Sequence, residues 1–271
     1  MVSFLSRAPS PDEVRPVRMR RKPNLHARME RCADYLVADP AACRGNWREK
    51  LKPDASALWL ELGCGKGRFS AETAARNQNV LYVAVERVPD AMVVAMERCR
   101  DMGLKNVFFI DADAALLRDY FAPGEVDLLY INFCDPWPSL KHARRRLTHD
   151  RFLVLYRGIL RDGGQIHFKS DNQDLFEYSL PMFTETGYSL SEVTRDLHGH
   201  GVQGVMTDYE EKFYKQGIPI NRCVATKQPM NPEPEFIPIG RPDHARRDQR
   251  LAEQHRQEQL SAADENKNSG D

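Results

Sequence analysis

Apolar residues fall into two alternating patterns along the chain. Runs of about five or six, little interrupted by polar residues, stand at Ala57–Leu62, Val80–Val85, 106–110, Val126–Asn132, 165–169, 188–193 and 220–225, and each predicts a strand. Between them, apolar positions recur three and four apart and predict helices at Arg68–Arg76, 89–102, 151–160, 172–186 and 208–216. Gly103, Gly163 and Gly217 follow three of these as helix stops. Strands alternating with helices make βαβ units, so the expected class is α/β, a seven-stranded, mostly parallel sheet with helices on both faces.

The pattern ends near Lys227. Residues 228–271 open with four prolines in twelve residues and continue with few aliphatic ones, so they predict a polar extension, disordered or with a solvated helix over 244–260. Residues 1–27 carry the basic run Arg18-Met19-Arg20-Arg21-Lys22-Pro23 and read as an arm, leaving one domain over 28–227. With 271 residues, 41% of them hydrophobic, and a formal net charge of zero, the chain is neither a membrane bundle nor a uniformly basic nucleic-acid binder. The opening MVSFLSRAPSPDEV has no apolar core of signal-peptide length, which sets a cytoplasmic expectation. Six scattered cysteines (Cys32, Cys43, Cys64, Cys99, Cys134 and Cys223) form no C-x-x-C pair and read as reduced, mostly packing thiols.

Chemistry concentrates where strands end. The first strand runs into Gly63-Cys-Gly-Lys-Gly67, and glycines there let the backbone approach a ligand beside a helix N-terminus. The spacing is G-x-G-x-G, not the G-x-G-x-x-G of dinucleotide sites, and Glu61 stands two positions before the first glycine. A nearby carboxylate disfavours a pyrophosphate but suits a cationic sulfonium such as S-adenosylmethionine. The second strand ends at Glu86, where a carboxylate accepts from ribose hydroxyls, and Asp113 closes the third, where one meets an adenine amino group. Three acids at three successive strand ends outline one crevice; singly, each would read as a surface acid.

The fourth strand ends in Asn132-Phe-Cys-Asp-Pro-Trp-Pro138, with Trp137 offering a face for base stacking and Lys141, Arg144, Arg145 and Arg146 following as phosphate partners. Asp171 has two readings, a cap for the next helix or a substrate contact. Thr207 to Glu210 likewise fit a capping box, with a substrate role added to it.

At these residues the chain resembles the bacterial tRNA (guanine-N7-)-methyltransferase family, Rossmann-like class I S-adenosylmethionine-dependent enzymes. The resemblance rests on R-M-R-R-K-P, E-L-G-C-G-K-G, the V-E at Glu86, I-D-A-D, N-F-C-D-P-W-P, R-R-R-L-T, H-F-K-S-D-N and M-T-D-Y-E-E-K-F. It implies S-adenosyl-L-methionine as donor, with no metal, and transfer to N7 of guanine 46 in the tRNA variable loop. It further implies donor contacts at Glu61, Gly63, Gly65, Glu86, Asp113 and Asp135, with Asp135 also catalytic. Substrate contacts are implied at Asp171, Thr207, Asp208, Tyr209 and Glu210. The family usually continues D-P-W-P with K-K-R-H, the first Lys being a substrate contact; here Ser139 and Leu140 stand there, so that contact is expected to shift to Lys141 or Arg144. A monomer and a homodimer both suit the sequence. The rival readings are a nicotinamide oxidoreductase, a methyltransferase acting on an exocyclic amine or small molecule, and a non-catalytic RNA-binding protein.

Overall fold

The computed structural model describes residues 23–239. Seven strands among these residues form one sheet: β1 (Ala57–Leu62), β2 (Val80–Val85), β3 (Val107–Ile110), β4 (Val126–Asn132), β5 (Leu160–Ser170), β6 (Tyr188–Thr194) and β7 (Asn221–Lys227). Their order is β3-β2-β1-β4-β5-β7-β6. β1 pairs in parallel with β2 and β4, as do β2 with β3 and β4 with β5, whereas β7 runs antiparallel to both β5 and β6. The carboxyl ends of β1 to β5 therefore meet at one edge, with the chain reversing direction about β1 and β4.

Among the described residues eight α-helices accompany the sheet: α1 (Leu25–Glu30), α2 (Trp47–Leu51), α3 (Arg68–Arg76), α4 (Pro89–Asp101), α5 (Leu117–Tyr120), α6 (Asp150–Ile159), α7 (Gln173–Glu185) and α8 (Asp208–Lys215). Phe69, Ala71, Ala74, Met92, Ala95 and Met96 of α3 and α4 pack with Tyr82, Ala84, Phe109 and Tyr130 in one hydrophobic core. A second core gathers Phe152, Leu155, Tyr156 and Ile159 of α6 with Phe176 and Phe183 of α7 and with Leu60, Leu129, Ile131 and Phe168. Because both faces are covered, β2 is buried at every position, which is why its run VLYVAV does not alternate.

The seven expected strands are all present, with differences at their ends. β5 begins five residues before the expected Gln165: Leu160 already pairs with Val126, and 161–164 bulge before Gln165 meets Leu128. Gly163 therefore serves that bulge, at φ 70°, and is not the stop of α6, which ends at Ile159. The short helices α1, α2 and α5 carry too few turns to show a period.

Nor does the folded body stop at Lys227. Residues 228–239 turn back across α6, where Glu233 pairs with the buried Arg157, Phe236 lies under the Arg118 guanidinium at 4.2 Å, and Ile239 is buried in the second core. The basic run at 18–22 and the helix expected over 244–260 lie outside the described residues. Among the described residues no helix is long and apolar enough to cross a membrane.

Candidate active site

The turn after β1 is stitched to the end of β2. Gly63 and Cys64 donate to the Val85 carbonyl at 2.9 and 3.2 Å, and Gly65 donates to the Glu86 carboxylate at 2.9 Å. Gly63 and Gly65 have φ of 74° and 57°, and a Cβ on either would meet nothing within 4 Å, so open space lies before the turn. Gly67 has a different reason to be glycine: its Cβ would stand 2.4 Å from that of Ala95, so its absence lets α3 and α4 approach.

The three strand-end acids reach this edge in three states. Glu61 is only 1% exposed and accepts from the hydroxyls of Ser70 and Tyr82 and from Asn132 Nδ2. Burial pushes its carboxyl above the usual range, against the pull of those donors. Glu86 is half-buried and also accepts from the backbone N–H groups of Arg87 and Val88, at 2.8 and 2.9 Å. Asp113 caps a short turn through the N–H of Ala115 and pairs with Arg87 at 2.6 Å. Glu61 thus lies beneath the turn, while Glu86 and Asp113 flank it.

At the end of β4 the backbone is strained: Phe133 and Trp137 hold φ of 53° and 43°, which non-glycine residues seldom adopt. The loop is fastened from below by Arg146, 6% exposed, which donates to the carbonyls of Pro136 and Trp137 at 2.9 and 3.0 Å and stacks on Tyr178. This corrects the expectation that Arg146 meets phosphate. Arg145 covers one face of Trp137 at 4.8 Å, whereas Lys141 and Arg144 point into solvent. Residues Leu140–Arg145 form a 3₁₀ turn begun by the exposed Ser139, with Leu140 83% exposed. Asp135 is exposed, and no hydrogen bond or ion pair engages its carboxylate among the described residues.

Of the two readings of Asp171, capping falls away: Asn172 caps α7 by accepting from Leu175 N at 2.7 Å, leaving Asp171 exposed. The capping box of α8 is present, with Thr207 accepting from Glu210 N at 2.9 Å and Glu210 accepting from Thr207 N at 3.1 Å. Tyr209, 66% exposed, stacks on Phe213, which in turn meets Phe133 at 6.1 Å. Asp208 faces Arg98. Glu210, by contrast, is wholly buried against Lys169 and His198. Neither motif cysteine is activated: burial pushes the Cys134 thiol up to about 12 and that of Cys64 well above its ordinary value.

Residues 55–223 match a family model described as "Putative methyltransferase". A tRNA (guanine-N(7)-)-methyltransferase of Geobacillus kaustophilus (strain HTA426) is 42% identical over 214 residues, covering 79% of this chain and 98% of the relative. The chain belongs to the tRNA (guanine-N(7)-)-methyltransferase family. A second member, from Bacillus subtilis (strain 168), is 41% identical over 208 residues, covering 76% of this chain and 97% of its own. Outside the family, the fold alone is shared with the 16S rRNA methyltransferase KamB, at a TM-score of 0.53 and 18% identity over 69% of this chain and 95% of that one. A further solved structure, an antibiotic-related methyltransferase, superposes with a TM-score of 0.51 and 16% identity over 67% of this chain and 92% of its own.

Sequence reasoning missed Lys169 and His198 as parts of this edge, and it gave Arg146 a phosphate in place of the loop carbonyls that it holds. The partners of these three lie 41, 12 and about ten residues away, beyond any local period.

Proposed function

We propose that the chain transfers the methyl group of S-adenosyl-L-methionine to N7 of guanine 46 in the variable loop of tRNA. Family membership supports the methyl transfer and the class of RNA. The observation that carries the site is the meeting of Glu61, Glu86 and Asp113 at the ends of three adjacent strands, around a glycine turn that opens onto free space.

These residues suit the donor. Glu86 would take the ribose hydroxyls and Asp113 the adenine end, each exchanging a present partner for a ligand donor, while Glu61 sets the charge beneath the turn. When bound, the donor supplies an electrophilic methyl group on a sulfonium. Guanine N7 carries a lone pair and no proton, so the protein needs no general base before the bond forms. Its task is alignment, which can supply up to about 7–11 kcal/mol of a barrier. The exposed carboxylate of Asp135 stabilises the positive charge that grows on the purine.

N7 is hidden in the deep groove of an A-form helix, so the target guanine must come from an irregular or splayed region. Tyr209 and Trp137 offer rings to bases of such a region, and Lys141 and Arg144 offer charge to its phosphates in place of the lysine that Ser139 displaces. The test is methyl transfer from labelled S-adenosylmethionine to bulk tRNA lacking the modification, followed by nucleoside analysis and mapping of the modified position. Appearance of 7-methylguanosine at position 46 is expected; donor binding with unmodified tRNA would refute the substrate assignment while leaving the donor site intact.

A further inference from the structure

Glu210 belongs to the segment that the resemblance assigns to RNA, yet it is 0% exposed and both of its oxygens are occupied. Oε1 accepts from Lys169 Nζ at 2.9 Å and from His198 Nε2 at 3.0 Å. Oε2 accepts from Lys169 Nζ at 3.1 Å and from the backbone N–H of Thr207 at 3.1 Å. His198 Nδ1 accepts from Gln203 N at 3.1 Å, so the ring carries its proton on Nε2 and directs it at Glu210. Lys169 Nζ also donates to the Val205 carbonyl at 3.0 Å and lies over the Phe69 ring at 5.2 Å.

Four segments converge here: the end of β5, the loop from His198 to Val205, the first turn of α8, and the start of α3 just after the glycine turn. Arg68 reinforces the last link by pairing with Glu211 of α8. The neighbours Asp208 and Tyr209 stand exposed on the same helical turn, Asp208 beside Arg98.

We propose that Lys169 and Glu210 are a positioning pair, which docks α8 and the 198–205 loop as one unit on the carboxyl edge so that Asp208 and Tyr209 meet the RNA while Glu210 does not touch it. This rests on the tRNA reading above. Such a pair leaves a distinct signature, because removing one partner strands a buried charge, whereas neutralising both is tolerated.

The experiment compares wild type with K169M, E210Q and K169M/E210Q in methyl transfer to unmodified tRNA, together with S-adenosylhomocysteine affinity and thermal unfolding. Each single substitution is expected to raise KM for tRNA about tenfold with S-adenosylhomocysteine affinity kept within about twofold, and the double to return KM to within about threefold of wild type. A wild-type KM in K169M, with E210Q and the double equally impaired, would show Glu210 touching RNA and overturn the proposal. So would a parallel loss of S-adenosylhomocysteine affinity and thermal stability in all three variants. If the single variants do not fold, the double decides: a KM near wild type supports the pair, and a tenfold rise refutes it. A wild-type protein that forms no 7-methylguanosine would instead overturn the tRNA reading, before any variant is compared.

Discussion

Among the described residues, Asp135 differs from the three strand-end acids before it in having no hydrogen-bond or ion-pair partner. Glu61, Glu86 and Asp113 are held by Ser70, Tyr82, Asn132, Gly65, Ala115 and Arg87, so each already serves the architecture. Asp135→Asn should therefore lower kcat about a hundredfold while leaving S-adenosylhomocysteine affinity within about threefold, read by single-turnover methylation and calorimetry. Comparable losses in both would make it a donor ligand only. Two arginines separated by one residue should part in the same way. Arg144 stands in solvent, so Arg144→Ala should weaken tRNA binding and reduce the slope of log affinity against log salt by about one. Arg146→Leu should leave that slope unchanged and lower kcat and the melting temperature, because it releases the strained Phe133–Trp137 backbone.

Elements impose demands that no side-chain chemistry explains. Gly67 stands at φ 72° against Ala95, so Gly67→Ala should cost roughly 2–4 kcal/mol in denaturant unfolding, by prying α3 from α4. The segment 228–239 supplies Glu233 to an arginine whose side chain is 1% exposed. A chain ending at Lys227 should melt roughly 5–15 °C below one ending at Ile239, since Arg157 is then buried without its counter-charge. The sequence made the strands and main helices legible because a sheet covered on both faces writes unbroken apolar runs. The places of Glu61, Glu86, Asp113 and Asp135 at strand ends were legible because each closes or follows one of those apolar runs. Proline-rich composition hid the packing of Phe236 and Ile239, which depends on a surface formed by α5 and α6. The fate of Glu210 was hidden too: its capping pattern is local, but its burial depends on Lys169, 41 residues earlier.

Across the whole molecule, stability carries a mark of the sheet interior. Burial lowers the His167 ring from 6.5 to about 4, and its Nε2 meets Gln165 Oε1 at 3.2 Å. The folded protein keeps this ring neutral while the unfolded chain takes up a proton near its ordinary value. The unfolded state then binds more protons between about pH 6.5 and 4, and stability falls as pH drops through that window. Melting curves across it should be flatter for His167→Gln than for wild type; identical slopes would place the loss in other groups.

The position of β7 also sets a timetable for synthesis. It completes the sheet between β5 and β6, although the ribosome makes it after both. The free edge of β5 waits while the 57 residues from Asp171 to Lys227 are added, about 3–11 seconds at ordinary elongation rates, and β6 has no partner in the meantime. A nascent chain that stalls or terminates before Lys227 therefore offers an open strand to its neighbours, and truncated products should appear in aggregates.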